Sequence, residues 1–559
     1  MPRTSLFSAA LSLALSGALC GQVAAQSDPD HLSERAFEGA QWVLATQAAR
    51  AVAQVGARAA VGEGPLGDKI RARQALEGQL GNLRRSLAEA VETRLDTEKG
   101  LQDEVSGVIT ALNRIDAEIR TEFPDYAELS NPRPLDYDDL RGLLGPEEAL
   151  VLFLSDRTAT FVWAISQQGV AWHRADLSAQ ALSDKIRALR ADLDPTGPSR
   201  AAVSLSAPTG PKLAAFDGAT AHELYQALLA PVMSVLDGVS HVFVVKDGAL
   251  SSLPLAVLLT SPPVAPRMDG EELRGADWLL RRFAITTLPG VSSLASIRAQ
   301  GRETKPRLGF AGFGDPVFSP ESQPMAQPDA PILLASRSID AFFGAGDTRL
   351  KAIARLQPLP GTSRELRQIS GLFPDGQARV VLGAEATETA VKAADLSGTA
   401  IVSFATHGLI TGDISGLGEP ALAFTPPKVA SAEDDGLLTA SEASQLALNA
   451  DWVILSACNT AAGDGTPGAE GLSGLARAFL FAGARSILVS HWPVRDDVAG
   501  MLTSQTLRNL GEEPSLPRSE ALRQAILSVL SDESDPTLAH PSAWAPFVLV
   551  GDGGALDSW

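Results

Sequence analysis

The sequence predicts an α/β protein: a mostly parallel sheet flanked by helices, with a further α/β half-domain before it and an N-terminal α-helical hairpin ahead of both. Three observations predict this. From Leu150 onward, short runs rich in β-branched and aromatic residues alternate with helical patterns. Apolar runs such as Val453-Ile454-Leu455 lack polar alternation, which suits central strands covered on both faces. Upstream, Leu76, Leu80, Leu83, Leu87, Val91 and Leu95 recur at spacings of three and four, as in a coiled-coil-like seam.

In chain order, residues 1–25 read as a secretory signal. Arg3 supplies the positive start, Leu6 to Leu19 an apolar stretch too short for a membrane span, and Val23-Ala24-Ala25 a cleavage site with Gln26 next. Cys20 raises the question of a lipid anchor, but the bulky Leu19 before it argues against one. Residues 26–130 form the hairpin. Phe37, Ala40, Val43 and Leu44 share one face of its first helix, and Leu101, Val105, Val108, Leu112, Ile115 and Ile119 continue the seam after a break at Asp96 to Gly100. That surface suits either a protein partner or packing against the next domain. No 34-residue self-similarity marks tetratricopeptide repeats.

Residues 145–300 form the first α/β half: strands at 150–154, 160–165, 170–173, 241–245 and 283–288, and helices at 179–193 and 222–236. Residues 301–360 read as a loop-rich connection, with the Pro-, Gly-, Ser- and Ala-rich part from 315 open to nicking. Residues 361–555 alternate regularly. Strands are expected at 378–382, 400–405, 452–457, 486–490 and 547–550, and helices at 361–372, 388–395, 472–482, 497–510 and 520–530.

The composition excludes some functions. A net charge of -20 over 559 residues, without a basic run, is opposite to what phosphate binding needs, so no nucleic-acid partner is expected. No segment is long and apolar enough to span a membrane. The scattered His173, His222, His241 and His540 show no metal spacing, and no metal or organic cofactor is expected. Gly463 to Gly468 is no phosphate loop, since neither Lys-Ser nor Lys-Thr follows. Ser456 lacks the Gly-x-Ser-x-Gly frame.

Removing the signal leaves Cys458 as the one cysteine. An exported thiol without a partner is either a buried small hydrophobe or a reactive group. Its surroundings favour reactivity. Cys458 directly follows the strand 452–457, and His407 and Gly408 follow the strand 400–405. Were these strands neighbours, their ends would lie about 5 Å apart. The imidazole could then favour the thiolate and later protonate a leaving amine. The N–H groups of Gly408 and Cys458 could face a developing oxyanion. The histidine precedes the cysteine by about 50 residues, the order and spacing of caspases rather than of papain-like enzymes. The local Ser456-Ala457-Cys458-Asn459-Thr460 differs from the caspase pentapeptide, which speaks against an aspartate preference.

The stretches "LPGTSREL", "FATHGL", "DGLLTASEA", "VILSACNTAAG", "EGLSGLARAFLFAGARSILVSHWPV" and "WAPFVLVGDG" occur here in one order. Together they make residues from about 150 to 555 resemble the CHAT family of caspase- and separase-related (clan CD) peptidases. "DGALSSLPLAVL" and "FGDP" resemble the family's preceding, non-catalytic half. The resemblance implies a caspase-like fold with His407 and Cys458 as the catalytic dyad. Two departures stand out: His491 replaces a usually aliphatic residue, and Arg495 a frequently acidic one, although Asp496 keeps the acid after it.

Three further residues are candidates for the substrate cleft. His491 is a second base, a specificity residue, or a strand-end side chain without chemistry. Asp496 lines a substrate pocket or stabilises the helix it begins. Glu470, among the glycines 463, 465, 468 and 471, belongs to a loop that closes over substrate or simply joins strand to helix. The leading reading is an exported cysteine endopeptidase, periplasmic or secreted, acting on protein or peptide. The alternative is a catalytically silent scaffold that docks partners through the N-terminal helices.

Overall fold

The computed structural model describes residues 29–44, 98–122, 134–194, 213–299, 308–318, 349–409, 417, 419–431, 433–456 and 474–556, with isolated helical positions between 69 and 83. The segment read as a secretory signal, with Cys20 and Ala25, most of the first arm of the expected hairpin, Cys458, Glu470 and the glycines around it lie outside the described residues.

The N-terminal helices are α1 (Pro29–Val43) and α2 (Glu98–Glu122). On α2 the expected stripe is the sheltered one: Val108 is buried, and Leu101, Val105, Leu112 and Ile115 are half-buried. Lys69 reaches across to Glu118 at 2.6 Å. Helix α1 buries Phe37 against Tyr137 and Trp163, at ring separations of 5.2 and 6.3 Å. The Gln41 amide both donates to and accepts from the backbone of Leu135. Of the two readings of the N-terminal helices, α1 follows internal packing.

The first half contains α3 (Tyr137–Leu143), β1 (Glu148–Ser155), β2 (Thr160–Ser166), β3 (Gly169–Ala175), α4 (Ala179–Leu193), β4 (Phe216–Asp217), α5 (Gly218–Leu228), β5 (His241–Val245), β6 (Arg267–Met268), α6 (Gly270–Arg274), β7 (Ala284–Thr287) and α7 (Val291–Ala299). The helix expected over 222–236 stops at Leu228 and continues as a 3-10 turn, because Pro231 has no N–H to extend the α-helical ladder. The second half contains β8 (Leu308–Gly314), α8 (Arg349–Ile353), α9 (Pro360–Ser370), β9 (Ala378–Leu382), α10 (Glu388–Ala393), β10 (Thr399–Ala405), β11 (Gly408–Leu409), β12 (Ala421–Ala423), β13 (Leu437–Thr439), α11 (Ala440–Ala443), β14 (Trp452–Leu455), α12 (Gly474–Ala482), β15 (Ser486–Ser490), α13 (Asp496–Glu512), α14 (Arg518–Ser531), α15 (Pro541–Trp544) and β16 (Phe547–Gly551).

Eleven of the described strands form one sheet in the order β3-β2-β1-β5-β7-β16-β15-β14-β10-β8-β9. Strands β9, β8, β10, β14 and β15 run parallel, as do β16, β7, β5 and β1. The two blocks meet at the antiparallel β15–β16 pair, so the last strand fuses both halves of the chain into one sheet. The fold class expected from the sequence is present, with the two halves sharing a sheet rather than standing apart.

Both faces are covered, which is why the strands read as unbroken apolar runs. Ile454 and Leu488 point to the face under α4, α9, α13 and α14. Val453, Leu455, Val402 and Phe404 point to the face under α1, α3, α7 and α12. Phe404 packs on Phe313 and Phe479 at 5.6 and 5.2 Å, and its truncation to Ala is worth about 3–5 kcal/mol. Strand β8 and helix α8 lie inside the stretch read as a loop-rich connection. The glycines of β8 weaken its strand signal, yet a Cβ at Gly314 would stand 2.8 Å from the Ala405 carbonyl and 2.7 Å from Leu366.

Candidate active site

Strands β10 and β14 are neighbours, in the register Phe404↔Leu455, and the ladder extends one step further through the N–H of Ser456 to the Phe404 carbonyl at 3.0 Å. β8 flanks β10 on the other side, with Ala405 opposite Gly314. The carboxyl ends of three parallel strands therefore open on one edge of the sheet, where such sheets hold ligands. Asp315, His407 and Ser456 leave it there.

After β10 the chain turns out of the main sheet. The Thr406 hydroxyl donates to the Ala423 carbonyl, and the Ala423 N–H donates to the His407 carbonyl at 3.0 Å. Gly408 then faces Leu422 across the β11–β12 ladder. Because the hydrogen bond runs from residue 423 to residue 407, the Gly408–Leu422 pair is a non-hydrogen-bonded one, and the Gly408 N–H points away from β12.

The His407 ring is 1% exposed. It packs beside Phe318 at 5.5 Å, and its Nε2 lies 2.8 Å from the Gln357 carbonyl. A carbonyl oxygen can only accept, so Nε2 carries a proton, and in the neutral ring the lone pair lies on Nδ1. No third partner for the histidine was expected from the sequence: a carboxylate partner would show there as a residue type, whereas a main-chain carbonyl leaves no such signal.

Asp315 was also missed as a site residue, since its "FGDP" stretch was assigned to the preceding half. It follows β8 in a left-handed conformation at φ 51, which Asp tolerates better than most residues. Its N–H donates to Thr362 Oγ1 at 3.0 Å. Burial raises its carboxyl above the usual range and the charge of Asp496 adds to this, against the pull of Ser363 and Arg367.

Asp496 begins α13 and lies against the first turn of α9. A Cβ on Gly361 would come within 1.9 Å of its Oδ2, so only glycine admits the carboxylate there. The negative charge thus sits at the N-termini of two helices. A cavity of about 400 Å³ opens beside it, lined in part by Arg364, Glu365, Asp496, Gly500 and Ser504.

His491 follows β15, one strand beyond β14, and is 2% exposed. Neither ring nitrogen has a hydrogen-bond partner. Burial, with the nearby charges of Lys246 and Arg190, holds the ring well below its ordinary range, so it stays neutral. Arg190 donates twice to the His491 carbonyl at 3.1 Å and lies over Trp492 at 5.0 Å. Among the described candidates, His407 and Gly408 share the site edge with Asp315 and Ser456. Asp496 joins them through α9, and His491 is sealed one strand away.

The family model described as CHAT domain matches residues 218–552. Tetratricopeptide repeat protein 28 of Mus musculus is 28% identical over 372 residues, and that of Homo sapiens 27% over 371. The match takes in 60% of this chain and spans 13% of the length of either relative. Among solved structures, the Saccharomyces cerevisiae separase–securin complex compares with a TM-score of 0.41 at 10% identity, over 98% of this chain and 42% of that one. The arginine-specific cysteine proteinase gingipain R compares with 0.32 at 10% identity, over 61% and 67%. No described helix is long and apolar enough to cross a membrane. With 335 consecutive residues matched, from the first half of the chain into its last strand, the protein belongs to the CHAT domain family.

Proposed function

We propose that the protein is a cysteine endopeptidase acting through His407 and Cys458. The observation that carries the reading is the Nε2–Gln357 carbonyl bond, which fixes a proton on Nε2 and so assigns the neutral ring's lone pair to Nδ1. His407 follows the end of β10 and Cys458 comes two residues after the last bond of the neighbouring β14, which supports the pairing.

In this reading Nδ1 takes the thiol proton, and the thiolate attacks the carbonyl carbon of a peptide bond. The N–H groups of Gly408 and Cys458 receive the oxyanion. The imidazolium then gives its proton to the leaving amine as the C–N bond breaks, leaving a thioester on Cys458. Water, deprotonated by the same Nδ1, hydrolyses that ester and restores the thiol. Asp496 and Glu470 are proposed to line the substrate cleft. His491 is proposed to pack behind the cleft, one strand away, without touching the chemistry.

Export with cleavage after Ala25 is part of the proposal. It would make Cys458 the one cysteine of the mature chain. Protein isolated from its host should start at Gln26, and an intact Met1 terminus would contradict export. The test of the activity is a peptide library incubated with the mature protein and with Cys458→Ala. Turnover that the substitution abolishes supports the reading. Equal turnover in both proteins overturns it, and no turnover in either, with the protein folded, favours the scaffold.

A further inference from the structure

We propose that Glu365 is a positioning residue for Cys458. It ties the strand that delivers the nucleophile to helices α9 and α13. Its consequence for turnover rests on the cysteine-peptidase reading above.

The Glu365 side chain is 1% exposed. Its Oε2 accepts from the Ser456 hydroxyl at 3.3 Å, and its Oε1 accepts from the Thr503 hydroxyl at 2.8 Å. Ser456 and Thr503 are themselves fully buried. A buried carboxylate is costly, and packing alone would be better served by an apolar side chain of the same size. What the carboxylate supplies is a fixed acceptor that joins the end of β14 to the body of α13.

The position of Ser456 gives the tether its meaning. Strand β14 ends at Leu455, and the N–H of Ser456 makes its last ladder bond toward β10. Cys458 comes two residues later. The Ser456 side chain adds an anchor at the end of the strand, one residue past its last paired position. Thr503 locks the same carboxylate to α13, whose first residue is Asp496.

The neighbouring residues act in the same sense. Within nine positions, the Gln357 carbonyl holds His407, Gly361 receives Asp496, Thr362 holds the N–H of Asp315, and Glu365 holds Ser456. One short stretch of chain therefore meets the ends of β8, β10 and β14 and the start of α13. Glu365 is the member of this stretch whose side chain addresses the nucleophile strand. Reacting groups displaced by about 1 Å lose rate by up to ~100-fold, so a tether of this kind acts on turnover more than on binding.

The test uses the mature chain with Ser456→Ala, Ser456→Thr and Glu365→Ala. Ser456→Ala deletes one buried oxygen and is the deciding variant if Glu365→Ala does not fold. Two quantities are read: kcat and KM on a cleaved peptide, and the pH midpoint of Cys458 alkylation by iodoacetamide. Ser456→Ala should lower kcat about tenfold with KM within about twofold, and move the alkylation midpoint toward the ordinary thiol value near ~8.5. Ser456→Thr, which keeps the hydroxyl, should restore both. A purely structural role would lower the melting temperature and leave the midpoint where it was. An active wild type whose midpoint and kcat are unchanged in folded Ser456→Ala and Glu365→Ala overturns the proposal alone. A wild type with no turnover and an ordinary thiol midpoint overturns the peptidase reading, and this proposal with it.

Discussion

The Nε2 of His407 lies 2.8 Å from the backbone carbonyl of Gln357, and the side chain of Gln357 is exposed. The orienting partner of the candidate base is therefore main chain. Gln357→Ala should leave both turnover and stability within about 0.5 kcal/mol of wild type, as for an ordinary surface position. A large loss of turnover on a peptide substrate would mean that the glutamine side chain takes part.

Glu148 anchors the first half of the chain. Arg298 donates to both its oxygens at 2.8 Å, and the Gly145 N–H donates to Oε2 at 2.6 Å. Burial alone would raise the carboxyl, but His241, Gly145 and Arg298 together hold it down at about 2. A depressed folded value gives stability that is complete above the unfolded value near ~4.3 and is lost as pH falls toward 2. Glu148→Gln should cost about 2 kcal/mol at pH 7, the scale of a charged hydrogen bond. The gap should narrow by pH 3 in urea titrations, and a gap that does not change with pH would contradict the assignment.

Glu388 behaves in the opposite sense. It is 1% exposed, and its Oε2 accepts from the N–H groups of Asp435 and Gly436 at 2.9 and 3.0 Å. These bonds fix the turn into β13, which pairs with the β12 strand behind His407. Burial, opposed by Lys392 and reinforced by Glu442, pushes its carboxyl up to about 7. Between the unfolded value near ~4.3 and 7 the folded state holds a proton that the unfolded state has released. Stability therefore falls as pH rises through that window, by at most about 1.4 kcal/mol per pH unit, and levels off above it. Glu388→Gln should flatten the slope measured between pH 5 and 7. An unchanged slope would contradict the raised value.

His491 has two buried nitrogens without hydrogen-bond partners, while Arg190 holds only its backbone carbonyl. Removing the nitrogens relieves a desolvation cost without breaking the arginine contact. His491→Leu should leave stability unchanged or raise it by about 1–2 kcal/mol. A loss beyond about 2 kcal/mol in chemical unfolding would point to a partner for the ring.

What was legible in the sequence follows the physics of each element. The β10 and β14 runs announced themselves because strands buried on both faces are continuously apolar, and His407 stood out as a candidate just past one of them. Strand β8 did not, because the glycines that let it pass under α9 and against Ala405 also dilute the strand pattern. The β11–β12–β13 ladder is built from pieces of two and three residues, too short to show a period. Glu365, within "LPGTSREL", was not singled out, since one acidic residue in a helix carries no local signal of burial. Its burial depends on the packing of α9 against α13, which no local pattern encodes. The fusion of both halves through β16 is likewise a pairing of distant residues.

The central claim is that His407 and Cys458 act as a pair. It is tested most directly by the rate of Cys458 alkylation against pH in the wild type and in folded His407→Ala, with peptide turnover followed in parallel. The account predicts that the wild-type midpoint lies below the ordinary thiol value and moves up toward ~8.5 in the variant, while turnover falls by at least about a hundredfold. Superimposable alkylation profiles from two folded proteins would contradict it.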